Sequence, residues 1–288
     1  METIRAVESM KQIEYPNFKI IVVDNFSTDE SLVNLKNAND IVILRSKKNG
    51  GLNHGYNIGI DYALLNGADF VFVTQNDSYD YSHNILDVIR SVFESDDKIG
   101  MVGPAIKYPN GKYRWSGEEK NKMFLKMSIS EGFVFKRAVL ETIGKFNERL
   151  IVYFEDMDLI IRLRKAGYKT RSAENVSFIH TGQSTFSKQK FYPNYIRVRN
   201  IPFMIRRYAK DKPLKYKIGI LIEYLGPHFL RIKKSLRHLD FVGVLYTLLG
   251  ISSGLLVGSI LPWKEELPWQ AQNVNTDRYE IIQQDKNL

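Results

Sequence analysis

Two aspartates in this 288-residue chain each come just after a run of β-forming residues, Asp24 after Phe18 to Val23 and Asp77 after Phe70 to Thr74. Either one alone is an ordinary turn former. A third polar junction lies between them, Asn49-Gly50-Gly51, where two residues without side chains let backbone N–H groups come close to a phosphate. Further on, Glu155, Asp156 and Asp158 fall at one helix start, directly after Tyr153 and Phe154. Acids at that position complement the helix dipole. Three so close together also raise at least one carboxyl pKa, which suits a general base. His180 closes the apolar stretch Val176 to Ile179 and by itself is no more than a structural histidine. The combination points to chemistry on a phosphorylated ligand.

The elements needed to place these residues are legible as an alternation. Thr3 to Gln12 has helical spacing at Ile4, Val7 and Met10, and Tyr15-Pro16-Asn17 breaks it. Phe18 to Val23 reads as a strand buried on both faces, followed by a helix over 30–37 and a second strand over 41–45. A helix over 54–66, with Ile58, Tyr62 and Leu65 on one face, leads to the strand Phe70 to Thr74. Strand-like stretches recur at 100–106, 133–135 and 176–179, and a helix from Glu155 ends at Gly167 with Arg162, Arg164 and Lys165 outward. Strand, loop and helix in repetition predict an α/β sandwich with a mostly parallel, Rossmann-like sheet and its polar loops on one rim.

Composition supports an ordered domain, with 44% hydrophobic and 25% charged residues. With no cysteine there is no disulfide framework, thiolate metal site or cysteine nucleophile, and a reducing compartment fits. The charge of +9 suits nucleic acid, an anionic membrane or a phosphorylated substrate, and its placement decides among them. Ten Lys and Arg against two acids between Ile205 and His238 carry a net +8 of it. Those basic residues interleave with apolar runs and form no nucleic-acid recognition motif, so nucleic acid is not an expected partner. Phe241 to Trp263 follows, 23 residues without a charge, with Gly250, Gly254 and Gly258 in small-xxx-small spacing suited to helix contact and to oligomerisation. The expected organisation is a catalytic domain over 1–205, a basic and apolar helical region over 206–263 and a polar tail over 264–288. The helical region would attach the protein to the cytoplasmic membrane face as a peripheral, re-entrant or single-span segment, the alternative being a helix packed on the catalytic domain.

The strings VVDNFSTDES, NGGLNHGYNIGI, GKFNERLIVYFEDMDLIIRLRKAGYK and IHTGQST, in that order, resemble the family-2 glycosyltransferases of the GT-A fold, in the rhamnosyl- and galactofuranosyltransferase-like branch. The resemblance runs from about Glu8 to Arg207. It implies a nucleotide-diphospho-sugar donor, a divalent magnesium or manganese ion, and inverting transfer to a hydroxyl of a glycan or lipid-linked acceptor in cell-surface polysaccharide or glycolipid synthesis. In that scheme Asp24 contacts the base or ribose, while Asn49, Gly51, Asn57 and Asn76 belong to the nucleotide-sugar pocket. Asp77 binds the metal, with His180 as a further metal or diphosphate contact. Asp156 is the general base and Glu155 shapes the acceptor pocket, while Trp115 and Tyr153 either stack on sugar or pack in the core. A second reading is a GT-A-fold protein without turnover that partners an active transferase. Two departures stand out: Gln75 occupies a position where the family usually has Asp or Asn, and the central strand that normally precedes the first helix is absent from the sequence.

Overall fold

The computed structural model describes residues 2–36, 38–114, 132–182, 192–220, 222, 241–260 and 268–284. In chain order it contains α1 (Glu2–Met10), β1 (Ile20–Asp24), α2 (Ser31–Leu35), β2 (Ile41–Ser46), α3 (Leu52–Leu65), β3 (Phe70–Thr74), β4 (Ser78–Tyr79) and α4 (Ile85–Glu94). β5 (Ile99–Lys107), β6 (Tyr113–Arg114), β7 (Gly132–Lys136), α5 (Arg137–Ile143), α6 (Glu155–Lys165) and β8 (Lys169–His180) follow. Last come α7 (Tyr192–Tyr208), α8 (Phe241–Ile260) and β9 (Tyr279–Gln283). α4 is not among the sequence-based expectations, although Ile85, Ile89 and Phe93 recur at helical spacing and are all buried.

The strands form two sheets, one ordered β1-β2-β9 and the other β3-β7-β5-β8-β4 with β6 on β5. Among the described ladders only β1–β2 and β5–β8 are parallel, which corrects the expectation of a mostly parallel sheet. An apolar run buried on both faces reads the same whether its neighbours are parallel or antiparallel. Among the described residues no ladder joins the two sheets. Their facing edges are β1 and β3, since Ile21 packs into the cluster containing Val71 and Val73 together with Ile60 and Leu64 of α3.

Alternation along the strands builds a core on each side of the larger sheet. Phe133 and Phe135 of β7 and Met101 of β5 face α5, α6 and the end of α3. Val134 and Val102 face α4 on the other side. In α6, Leu159, Ile160 and Leu163 point inward as expected. Arg162, expected outward, is nearly buried instead, because its guanidinium donates to the carbonyls of Ile143 (2.5 Å) and Lys145 (2.7 Å) at the end of α5. Leu65, expected on the buried face of α3, is exposed.

α8 packs along α7. A Cβ on Gly250 would lie 2.8 Å from the Tyr195 carbonyl oxygen, and one on Gly254 only 2.3 Å from that of Arg199. Asn194 donates to Thr247 (2.8 Å) and Tyr195 to Ser253 (2.9 Å). Two of the three spaced glycines thus make their close helix contact within the chain, against α7. Among the described residues no helix is long and apolar enough to cross a membrane. Residues 268–284, expected as a polar tail, fold back to place β9 on β2 and Trp269 in the core. Gly254→Leu is expected to lower stability by about 1–3 kcal/mol through overpacking. Ser252→Leu, on the exposed face of the same helix, is expected to change it by less than about 0.5 kcal/mol, as thermal unfolding of the two variants will show.

Candidate functional site

The acidic helix start is reached through an unusual stretch of backbone. Asn147 caps a short 3-10 turn over Glu148–Leu150 by accepting from the Arg149 N–H at 3.0 Å. Then Ile151, Tyr153 and Phe154 adopt φ of 63°, 68° and 68°, a region that L side chains seldom enter. Each such residue costs on the order of 1–3 kcal/mol, so the segment persists only because its surroundings over-determine it. Asn200 of α7, fully buried, directs its Nδ2 to the carbonyls of Leu150 (2.9 Å), Val152 (3.0 Å) and Tyr153 (3.1 Å). Arg199 donates to the Arg149 carbonyl at 2.8 Å. On the other side the Asn53 N–H donates to Ile151 O (3.2 Å) and its Nδ2 to Asn147 O (3.0 Å).

Beyond this segment Glu155 is buried and Asp156 half-buried at the first turn of α6, with Asp156 Oδ1 accepting the Met157 N–H at 2.7 Å. Asp158, the third acid of the expected cluster, is separated from the other two by its partners. It takes Arg162 Nε at 2.9 Å and the Tyr208 hydroxyl at 2.5 Å, with Arg207 at 3.6 Å. Burial and the Asp158 charge push the Tyr208 phenol well above its ordinary range, so it stays a donor.

The glycine loop meets this segment directly. Gly51 has φ +85°, and a Cβ there would sit 2.6 Å from Ile151 Cγ2 and 3.0 Å from Ile151 O. Only glycine permits both the conformation and the approach. Asn49 Oδ1 accepts the Gly51 N–H (3.2 Å), while Asn25 donates to Gly51 O (2.8 Å) and accepts from Gly50 N (3.4 Å). Asp24 is buried at the end of β1, where Oδ1 accepts from Ser27 N (3.1 Å) and Oδ2 lies 3.5 Å from Arg45 Nε. Asn57 is also buried, and both ends of its amide are engaged within the fold. Its Nδ2 donates to Phe146 O and Glu148 Oε1, each at 2.9 Å, and its Oδ1 accepts from Phe146 N at 3.0 Å. It is scaffold beneath the loop.

Burial would raise the Glu148 carboxyl pKa, but hydrogen bonds from Asn57, Arg278 and His54, with the Arg278 charge, hold it below the usual value. His54, buried in α3, has Nε2 3.0 Å from Ser46 Oγ, and its Nδ1 faces Glu148 Oε2 at 3.0 Å and Arg278 Nη2 at 2.6 Å.

Asp77 lies in the turn between β3 and β4, and His180 ends β8 beside it. β4 pairs with β8 in the register Ser78↔His180, which sets His180 Nδ1 3.2 Å from Asp77 Oδ1 and 3.4 Å from Ser78 Oγ. Both side chains are buried, and no aligned hydrogen bond reaches Asp77 Oδ1. Among the described residues no group of three or more His, Asp or Glu could hold a metal ion. One carboxylate oxygen and one imidazole nitrogen still fit a divalent cation that takes its remaining ligands from phosphate and water. Asn76 is exposed and donates to Thr3 Oγ1 of α1 at 3.2 Å. Tyr153 lies under the Arg197 guanidinium, 4.2 Å from its ring centre, and Trp115 lies outside the described residues.

The description of glycosyl transferase family 2 matches residues 2–166, taking in the glycine loop, Asp77 and the start of α6. The chain belongs to this family. It is also similar to the dTDP-rhamnosyl transferase RfbF of Shigella flexneri, 22% identical over 187 residues, or 59% of this chain and 62% of that protein. The chain thus spans less than two thirds of the length of this relative. Within a family-2 glycosyltransferase, Asn25, Asn53, His54, Glu148 and Asn200 are the residues that sequence reasoning missed. The available signal was polar residues on otherwise apolar faces, with Asn53, His54 and Asn57 all on the buried side of α3. Asn200→Leu is expected to remove the amide from three carbonyls and destabilise the protein by roughly 3 kcal/mol. Denaturant unfolding measures the loss, and exchange protection should drop first at residues 148–154.

Proposed function

We propose that this family-2 glycosyltransferase moves a sugar from a nucleoside-diphosphate donor to a hydroxyl with inversion at the anomeric carbon. The observation that carries the reading is the contact of Gly51 with Ile151, which makes the phosphate-cradling loop and the lead-in to Asp156 a single surface. Asp24, at the end of the first described strand, is placed for the base or ribose, and the backbone around Asn49 to Gly51 for the diphosphate. Asp156 takes the proton of the acceptor hydroxyl as its oxygen bonds to the anomeric carbon. The bond from that carbon to the diphosphate oxygen breaks, and its electron pair leaves with the nucleoside diphosphate. Glu155, buried beside it, shapes the acceptor pocket. Asp77 and His180 would hold a magnesium or manganese ion, which when bound neutralises diphosphate charge as a Lewis acid. A dTDP-activated deoxyhexose is the first donor to test, since the similar transferase from Shigella flexneri is named for dTDP-rhamnose. With such a donor and a panel of glycoside acceptors, Asp156→Asn is expected to cut transfer by about 100-fold or more without changing the unfolding midpoint. Retention of more than a tenth of the activity overturns the role of Asp156.

The acceptor is proposed to be a glycan or lipid-linked sugar met at the cytoplasmic face of a membrane. Exposed large apolar residues concentrate near the C-terminus. Leu214, Ile218 and Ile222 stand four apart, and Val242, Leu245, Leu248, Leu249 and Leu255 line the side of α8 opposite its glycines. Exposed Arg206, Lys210, Lys212 and Lys215 accompany the first set. Apolar stripes flanked by cations complement an anionic bilayer surface. The protein is expected to float with vesicles of phosphatidylcholine containing phosphatidylglycerol and much less with phosphatidylcholine alone, and Leu214→Glu with Ile218→Glu to abolish flotation. Unchanged flotation of the double variant overturns the proposal, as does a dimer in light scattering that the variant dissolves.

A further inference from the structure

Residues 268–284 lie beyond the region matched to the family, yet they grip the helix that carries the glycine loop at two points. At one end of α3, Asp61 is buried and accepts from Trp269 Nε1 at 2.9 Å, while the Lys145 ammonium bonds the same carboxylate. Trp269 is itself fixed by its N–H to Leu140 O at 3.1 Å. At the other end Arg278 Nη2 donates to Glu148 Oε1 at 2.5 Å and stands 2.6 Å from His54 Nδ1. Asp61 and His54 are seven residues apart on α3, about 10 Å along its axis. Directly after the second grip, β9 adds to β2 with Tyr279 opposite Ser46, and Lys47 N donates to Arg278 O at 3.0 Å. The strap therefore also holds the chain that leads from β2 into the glycine loop.

What the second grip touches gives it a consequence for the site. The His54 ring fills the space under Gly50, where a Cβ would lie 2.3 Å from His54 Cγ. Glu148 opens the turn that runs into the strained segment before Asp156. One guanidinium thus joins the supports of both halves of the proposed donor surface. Its removal leaves the part-buried Glu148 carboxylate, which also accepts from His54 Nδ1, without its cation.

We propose that the 268–284 strap is a working part of the donor site and that Arg278 is a positioning residue, acting through His54 and Glu148 on the glycine loop and on the lead-in to Asp156. That it serves a nucleoside-diphosphate ligand rests on the function proposed above.

The test uses the full chain as Arg278→Ala and Arg278→Lys, with Glu280→Ala, an exposed position on the same strand, as the control. Amide exchange is compared without ligand, and affinity for dTDP and UDP is measured by calorimetry. Arg278→Ala is expected to speed exchange at residues 48–57 and 148–154 while leaving α4 unchanged, and to weaken nucleotide binding roughly tenfold. Arg278→Lys should recover part of both, and the control should match the parent protein. Unchanged exchange at 48–57 overturns the proposal. So does faster exchange spread evenly over α4 and the site, which marks a general stabiliser. If the parent protein binds neither nucleotide, the donor reading fails, and the exchange pattern alone decides whether the strap holds the loop.

Discussion

Three side chains held at positive φ between Ile151 and Phe154 set the position of everything acidic at the start of α6. No local preference stabilises that backbone, so it exists only where several independent groups insist on it. The insistence comes from two directions. The Asn200 amide spreads over three carbonyls from the α7 side, and Asn53 and Gly51 close on Ile151 from the α3 side. Each bond contributes only about 1 kcal/mol net, comparable to the cost of a single strained residue. The geometry is therefore a collective property, and the glycine loop and the acid helix cannot shift independently.

Much of the scaffold was legible because it depends on periodicity. The strand Phe70 to Thr74, the helix from Glu155 and the left-handed Gly167 that ends it, at φ +85°, follow from local rules that tertiary packing did not override. Sheet direction was not legible, since β7 is inserted antiparallel between β3 and β5 by contacts distant in sequence. The site residues divide along the same line. Asp77 and His180 meet as the motif order implied, whereas Asn57 turned inward because the backbone of Phe146 offers both a donor and an acceptor that a buried amide can satisfy. Asp158 likewise left the acidic cluster because two arginines and a tyrosine, from α6 and α7, converge on it.

The C-terminal third was harder to read from sequence because its chemistry is divided by face. Along α8 the glycines Gly250 and Gly254, whose spacing suggested close helix contact, pack against α7, while Val242, Leu245, Leu248, Leu249 and Leu255 are exposed. Composition sees only the sum of the two faces. The polar residues after 267 gave no helical or strand period, yet Trp269 and Arg278 each find a buried carboxylate or imidazole partner that fixes the chain. Single long-range pairs of this kind leave no periodic trace.

The division of the strands into two sheets bears on the dimensions of the site. Asn49 to Gly51 leave from β2, in the smaller sheet, while Asp77 directly precedes β4 and His180 ends β8, both strands of the larger one. Within each sheet the spacing is set by directional backbone bonds. Among the described residues no ladder runs across the seam between β1 and β3, and cohesion comes from side chains packed beneath α3, such as Ile21 against the cluster that contains Ile60, Leu64, Val71 and Val73. Dispersion contacts resist separation but have little preferred direction, so they tolerate sliding that a ladder forbids. The placement of the glycine loop relative to the Asp77–His180 pair thus rests on side chains packed beneath α3 more than on directional backbone bonds.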